Sequence, residues 1–406
     1  MKKAIFINLT SYQFYVSSYY AKRIREIDRS SDIYFVNVGI PDCSNYADNS
    51  WYTYNVPELD GSVWKRVWKR LYWAGHLFKI CPLGRIKFDS NCLLFCYNNN
   101  EPITYRFINM VKKKRGIVTI VEEGIGTYEE TSGFSKNYKM KAHFVITSLL
   151  GAPMQYSAIG ENNDIDAAII EKVNLYSKLP KSKNQILIKQ NKKVIFSHAF
   201  GNLDNLFNQQ DLKMNADYLY LGQAFGYEEE GLTKGEETIL SYVLKNVEGN
   251  IIIKQHPREK ADKYNELTIK NNNVYVLPDE LGKLPMEALV GRLNVKCFFS
   301  VISSAAVNLA NIFDDVTVIL LYKVVEFSGI IGELIGDNYT YPDDLFLGNR
   351  RNVFRPESLV EFESVLEEMK PQCISLNNVV KKREKDNEIK ELYSHLERWE
   401  KVNAKQ

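Results

Sequence analysis

Three short stretches combine residue types and spacings that could do chemistry. In Val121-Glu122-Glu123-Gly124-Ile125-Gly126-Thr127-Tyr128, two adjacent carboxylates directly follow an apolar run, Ile117 to Val121. In an open α/β sheet, ligands sit at the carboxyl ends of strands. An acid placed there can serve as a general base, since partial desolvation and a neighbouring negative charge raise its pKa. The two glycines would let another molecule approach the backbone closely. A solvated strand-to-helix turn with capping acids would use the same residues, and the stretch by itself does not choose between the two.

The second stretch is Ile251-Ile252-Ile253-Lys254-Gln255-His256-Pro257-Arg258, again an apolar run ending in polar groups. Proline keeps the residue before it extended, so His256 is expected at a strand terminus. There an imidazole can donate to a departing phosphate, with Lys254 or Arg258 adding positive charge. The third runs from Phe298-Phe299-Ser300 through Ser303-Ser304 into small residues of good helix propensity. Its hydroxyls and the free N–H groups of a helix start can hold an anion, or Ser303 can simply cap the helix. Two weaker candidates lie nearby. Gly222 and Gln223 end a strand where a nucleotide could come close, and Glu287 sits in a helix's first turn, able to accept from a ribose or base or only to offset the helix dipole.

Positioning these residues requires strands, and β-branched runs alternating with helical-period segments predict a parallel sheet covered by helices. The first half offers Lys3 to Leu9, Ile33 to Val38, Leu93 to Tyr97, Ile117 to Val121 and His143 to Thr147. A polar stretch, Leu179 to Lys193, reads as a linker. The second half then restarts with Val194 to Ser197, Tyr218 to Gly222, Ile251 to Gln255, Val274 to Leu277, Cys297 to Ile302 and Val316 to Tyr322. A helix is expected with Ile239, Leu240, Val243, Leu244 and Val247 on one face, and Lys234, Glu236, Glu237 and Lys245 on others. Another is expected to open at Pro285. The tail carries Ile389, Leu392, Leu396 and Trp399 as one apolar stripe, the mark of a terminal helix docked across the domains. The expected division is 1–180 and 190–376, two Rossmann-like domains, with 377–406 a terminal helix.

Composition narrows the partners. Fifty-two Lys and Arg against 50 Asp and Glu leave a formal charge of +2, far from a protein that neutralises nucleic-acid phosphates, so no nucleic-acid partner is expected. Cys43, Cys81, Cys92, Cys96, Cys297 and Cys373 are scattered and read as reduced thiols. With no CxxC pair and dispersed histidines, no metal site is expected. Asp164-Ile165-Asp166 matches the acid-x-acid pattern of metal-dependent transferases, but its surroundings read better as helix capping. The short N-terminal apolar run lacks the shape of a signal peptide, and no run suits a bilayer crossing. A cytoplasmic protein is expected. Val63, Trp64, Val67, Trp68, Leu71 and Phe78, flanked by Lys65, Arg66, Lys69 and Arg70, form a basic amphipathic helix that fits core packing, an anionic glycan or peripheral association with the inner membrane. The Lys381-Lys382-Arg383 run is equally open.

The order of the motifs, Glu122-Glu123-Gly124 continuing into Gly126-Thr127-Tyr128, then His256-Pro257 after its Ile-rich strand, then Ser303-Ser304, resembles the bacterial sialyltransferases, in particular the capsular polysialyltransferases and lipooligosaccharide sialyltransferases. The resemblance implies a GT-B fold of two Rossmann-like domains facing a cleft, 1–180 the acceptor-side domain carrying the base and 190–376 the nucleotide-sugar domain. It also implies CMP-sialic acid as donor substrate with no cofactor, a glycan acceptor, and metal-free transfer with inversion. On it, Glu122 would be the general base, with Glu123 the alternative. His256 would assist the departing phosphate, Ser303 and Ser304 would cradle it, and Gly222, Gln223, Lys254, Pro257 and Glu287 would line the nucleotide-sugar site. A GT-B transferase of another nucleotide sugar and a non-catalytic glycan- or nucleotide-binding protein are the alternatives.

Overall fold

The computed structural model describes residues 2–38, 52–56, 86–99, 102–128, 159–161, 163–196, 215–223, 230–246, 249–256, 259, 262–290, 293–301, 303–313, 316–324, 348, 350–368 and 388–403. The chain forms two compact units, Met1–Ile195 with Lys385–Gln406, and Phe196–Glu384.

Unit 1 contains the strands β1 (Lys3–Asn8), β2 (Asp32–Val38), β3 (Tyr52–Val56), β4 (Cys92–Cys96), β5 (Ile117–Val121), β6 (Ala167–Ile170) and β7 (Ile186–Lys189). They pair in parallel in the order β3-β2-β1-β4-β5-β6-β7. Every residue of β4, β5 and β6 is buried, as expected of central parallel strands covered on both faces, which read as unbroken apolar runs. Phe6 on β1 stacks between Phe35 on β2 and Phe95 on β4, with centroids 5.2 and 4.7 Å away.

Helix α1 (Ser11–Ile27) opens at Thr10, whose hydroxyl accepts from the Gln13 N–H, and buries Phe14, Tyr20, Ala21 and Ile24 against the sheet. Helix α2 (Pro102–Lys113) links β4 to β5, and a short α3 (Val173–Tyr176) follows β6.

Unit 2 repeats the plan. Its strands are β8 (Asn215–Leu221), β9 (Ile251–Lys254), β10 (Val274–Val276), β11 (Asn294–Ser300), β12 (Thr317–Leu320) and β13 (Val353–Phe354). The parallel order β10-β9-β8-β11-β12-β13 is the 3-2-1-4-5-6 arrangement of a doubly wound sheet, and the first six strands of unit 1 follow it too. Helices α4 (Glu230–Asn246), α5 (Asn265–Lys270), α6 (Asp279–Gly282), α7 (Met286–Leu289), α8 (Ser304–Ile312) and α9 (Leu359–Glu368) complete it. Tyr220, Val243, Ile253, Phe299 and Phe362 are among its core residues.

The chain returns to unit 1 as α10 (Glu388–Asn403), which packs on α1 and β7 with Ile389, Leu392 and Tyr393 buried. Its Glu388 carboxylate is buried and accepts from the Tyr20 hydroxyl and the Asn191 backbone N–H. The terminal helix thus docks within unit 1.

Several expectations change. The stretch read as a linker contains β7, and the expected strand Val194 to Ser197 begins instead within a helical turn at 192–196. Asp164-Ile165-Asp166 caps no helix but leads into β6. The Asp166 carboxylate accepts from the Val118 N–H at 2.9 Å and pairs with Lys112 at 2.7 Å. A short apolar run has no period that separates strand from helix, and pairing with β5 and β7 settles it here. Glu236, expected off the apolar face of α4, is buried all the same. Cys92, Cys96 and Cys297 are buried free thiols. The expected strand at His143–Thr147, the basic amphipathic segment at Val63–Phe78, the Lys381–Arg383 run, and Cys43, Cys81 and Cys373 lie outside the described residues. Among the described residues no helix is long and apolar enough to cross a membrane.

Candidate active site

In unit 1 the acid motif leaves the carboxyl end of β5. The Glu122 N–H bonds to the Ile169 carbonyl at 3.0 Å, extending the β5–β6 pairing by one residue. This turns the Glu122 side chain into the protein, where it is fully buried. A 3-10 turn at Ile125–Tyr128 folds the chain back so that the Tyr128 hydroxyl donates to Glu122 Oε2. The same oxygen accepts the Glu171 N–H at 2.6 Å, and the Tyr128 hydroxyl accepts the Lys172 N–H at 2.9 Å. Lys192 Nζ, only 1% exposed, lies 2.6 Å from Glu122 Oε1 and 3.3 Å from Glu171 Oε2. Burial pulls the ammonium pKa down, and the charges of Glu122, Tyr12 and Glu171 more than reverse it, leaving it well above the usual lysine range. Burial raises the pKa of Glu171, against the pull of Lys192. Burial, and then the Glu122 charge, push the Tyr128 phenol up.

Glu123 is placed differently. It is half-buried, and its Oε1 accepts from the Thr10 hydroxyl at 3.2 Å. Thr10 caps α1 at the end of β1, so Glu123 reaches toward the β1/β4 switch point of the sheet. This is where doubly wound folds bind their ligands. Below that point Asn8, Ser17, Asn37 and Tyr97 form a buried chain of hydrogen bonds, Asn8 Nδ2 to Asn37 Oδ1 at 2.9 Å and Ser17 Oγ to Asn8 Oδ1 at 2.7 Å.

In unit 2 the switch point falls between β8 and β11. Gln223 Nε2 donates to Ser300 Oγ at 3.1 Å, and that hydroxyl donates to the Leu221 carbonyl at 3.0 Å, closing the crevice floor. A Cβ on Gly222 would lie 2.6 Å from Glu259 Oε2 and 2.8 Å from the Tyr264 hydroxyl. A side chain at this position would therefore have to displace the Glu259 carboxylate and the Tyr264 hydroxyl. Ser303 is the N-cap residue of α8, yet its hydroxyl makes no capping bond, and Ser304 is exposed. Ser303 and Ser304 thus stand at the start of a nine-residue helix that follows the carboxyl end of β11.

His256 is half-buried just past β9, and Pro257 and Arg258 lie outside the described residues. Its N–H donates to Glu259 Oε2 at 2.7 Å and its carbonyl accepts the Glu259 N–H at 2.9 Å, a closed turn. Lys263 holds Glu259 and Glu236 together, and the Tyr264 hydroxyl donates to Glu259 at 3.0 Å and to Glu236 at 3.3 Å. The Tyr220 hydroxyl also donates to Glu236. Burial raises the Glu259 pKa against the opposing pull of Lys263.

Lys254 is buried and donates to the Gly282 carbonyl at 2.7 Å; desolvation lowers its pKa to about 8, with Glu287 and Glu259 resisting. Glu287 is buried and accepts from Asn308 Nδ2 at 2.8 Å, tying α7 to α8.

Sequence reasoning found the strand-end residues and missed what holds them: Thr10, Glu171, Lys192, Glu236, Glu259 and Lys263. Two signals were available. Glu171 directly follows an apolar run as Glu122 does, and Glu259 stands three residues after His256, a spacing that lets a side chain reach back to a backbone N–H. Lys192 had none, since a lysine in a polar stretch looks solvated. Among the described residues no group of three or more His, Cys, Asp or Glu could hold a metal ion.

Comparison with known proteins places this geometry in context. The chain resembles the UDP-GlcNAc 2-epimerase of Methanocaldococcus jannaschii in complex with UDP-GlcNAc and UDP, with 14% identity over 96% of this chain and 95% of that one and a TM-score of 0.52. MnaA of S. aureus, solved with UDP, gives 11% identity, 99% and 98% coverage and a TM-score of 0.53. The GT-B domain of a sialyltransferase from Photobacterium damselae gives 11% identity, 87% and 100% coverage and a TM-score of 0.48. Likeness at such identities concerns the fold, which is of the GT-B kind, with two Rossmann-like units in one chain. No curated protein sequence matches. The alpha-2,8-polysialyltransferase family model matches residues 85–322, a stretch that contains the positions of Glu122, Glu123, His256, Ser303 and Ser304. With more than half of its length matched, the chain belongs to the alpha-2,8-polysialyltransferase family.

Proposed function

We propose that this protein transfers sialic acid from CMP-sialic acid to a hydroxyl of a bacterial surface glycan, capsule or lipooligosaccharide, by one direct displacement with inversion and without a metal. The observation that carries the reading is the contrast between two adjacent acids. Glu122 has both oxygens engaged by Lys192, Tyr128 and the Glu171 N–H in a fully buried setting, whereas Glu123 is half-buried at the strand end. The base role therefore goes to Glu123, and Glu122 anchors the motif.

In the step, the acceptor oxygen attacks the anomeric carbon as its proton passes to Glu123. The bond from that carbon to the phosphate oxygen breaks, and the electron pair leaves with CMP. His256 donates to the departing phosphate, and Ser303, Ser304 and the start of α8 hold it. A nucleoside monophosphate carries less charge than a diphosphate, so such neutral and singly charged donors suffice. Gly222, Gln223, Lys254, Pro257 and Glu287 would form the surrounding nucleotide-sugar site, with the buried Lys254 and Glu287 shaping it from below. The enzyme would work on the cytoplasmic side, as a soluble or membrane-peripheral protein.

The test incubates the purified chain and E123Q with CMP-sialic acid or, in parallel, UDP-sugars, a panel of galactosides and oligosialic acids, and a chelator, following nucleotide release and product mass. Acceptor-dependent release by the wild type, lost in E123Q with donor binding kept within a few-fold, is the expected result. Release only with a UDP-sugar would transfer the reading to another donor. Saturable binding with no turnover of any donor would make the chain a binding protein.

A further inference from the structure

We propose that Lys192 is a positioning residue of the acid motif, cancelling the buried charge of Glu122 so that Glu123 alone meets the acceptor proton; this rests on the base reading of Glu123. Lys192 comes from the last turn of chain before the crossing into unit 2, far in sequence from the motif it touches. It reaches Glu122 at 2.6 Å and Glu171 at 3.3 Å. The backbone that presents it is held firmly. The Gln190 N–H bonds to the Ile170 carbonyl at 2.9 Å, continuing the β6–β7 ladder. The Asn191 N–H donates to Glu388 of the terminal helix, and Tyr20 of α1 holds the other oxygen of that carboxylate. Three elements of unit 1 therefore converge to place one ammonium beside Glu122.

The charged and titratable groups facing this cluster are Glu122, Tyr128, Glu171, Lys172 and Tyr12, with Tyr97 and Glu123 on the side toward β1 and β4. Two carboxylates share one buried ammonium. Removing the ammonium leaves uncompensated negative charge beside Glu123 in a poorly screened setting, and a like charge favours the protonated form of a neighbouring carboxyl. Removing the Glu122 charge instead, with Lys192 kept, acts in the opposite direction. A lysine that merely filled space would produce neither effect.

The experiment measures the pH dependence of kcat/KM for transfer from CMP-sialic acid to an oligosialic acid acceptor in wild type, K192M, E122Q, K192M/E122Q and E123Q. In K192M the acid limb is expected to move up by about one pH unit, with kcat down about ten-fold and donor KM within about two-fold. In E122Q the limb moves down, and in the neutral double variant it returns toward the wild-type position. Limbs that stay at the wild-type pH in K192M and E122Q, with only the yield of folded protein changed, overturn the proposal. If K192M does not fold, E122Q and the double variant decide it by the same shifts. E123Q at wild-type rate sinks the base reading itself, whereas inactive E123Q beside unmoved limbs sinks only the role of Lys192.

Discussion

In unit 1, Lys192 lies between Glu122 and Glu171; in unit 2, Lys263 lies between Glu236 and Glu259. Both clusters sit at the carboxyl edge of a doubly wound sheet, and both use tyrosine hydroxyls, Tyr128 in one and Tyr220 and Tyr264 in the other, to satisfy the carboxylates. They serve their motifs differently. Glu122 is itself part of the acid motif, so the unit 1 cluster sets the charge next to Glu123. The unit 2 cluster holds the backbone of its motif, Glu259 bonding to both the N–H and the carbonyl of His256, so it sets where the loop runs. The lesson is that one structural device, a lysine shared by two acids, can act through electrostatics in one place and through geometry in another. Which it does depends on whether the motif residue is inside the cluster.

The largest effect should come from Glu123→Gln, with transfer down about 10²- to 10⁴-fold in single-turnover rate; a smaller loss than in Glu122→Gln would reverse the assignment of the two acids. Next comes stability. Lys192→Met leaves buried charge unpaired and should cost about 3–5 kcal/mol in urea unfolding, while K192M/E122Q recovers most of it. Lys263→Met should cost less, about 1–3 kcal/mol, because Lys263 is 13% exposed and water can reach its site. Equal losses would erase the contrast between the two clusters.

Glu259→Ala removes the acceptor of the His256 N–H and should lower kcat/KM about five- to ten-fold. Glu259→Gln retains an acceptor oxygen and should lose less; equal losses would show that charge, not loop geometry, matters there as well. The last expected effect is seen in the pH dependence of stability. The Lys254 pKa falls from 10.5 to about 8 on folding because its charged form is desolvated. Between those values the unfolded chain binds more protons than the folded one, so this group makes stability rise as pH rises from about 8 to 10.5. Wild type minus Lys254→Met should show that slope in chemical unfolding, and a flat difference would mean that the amine reaches water.

Much of the fold can be read from local sequence. Apolar runs at Lys3–Asn8, Ile117–Val121 and Ile251–Lys254 are strands because each is short, β-branched and flanked by polar residues. The short strands β6 and β7 escape such reading. Ala167–Ile170 is four small or apolar residues, and Ile186–Lys189 is embedded in lysine and asparagine, so neither shows a period. Their identity comes from pairing, which is a long-range property. Glu236 shows the same limit in a helix: its position on α4 suggests solvent, and only the arrival of Tyr220, Lys263 and Tyr264 makes burial tolerable.

What the sequence determined by itself was the alternation of strands and helices and the placement of acids, His256 and Ser303-Ser304 at strand ends, because run length and polarity are local properties of the chain. It could not tell Glu122 from Glu123. Which of the two is buried was decided by tertiary structure: one more backbone bond to β6 turns Glu122 inward, and Lys192, brought in by β7 with the neighbouring Asn191 N–H held by Glu388, supplies the charge that lets it stay there. A buried carboxylate is stable only beside a partner, and its partner came from a stretch of sequence that carried no sign of the role.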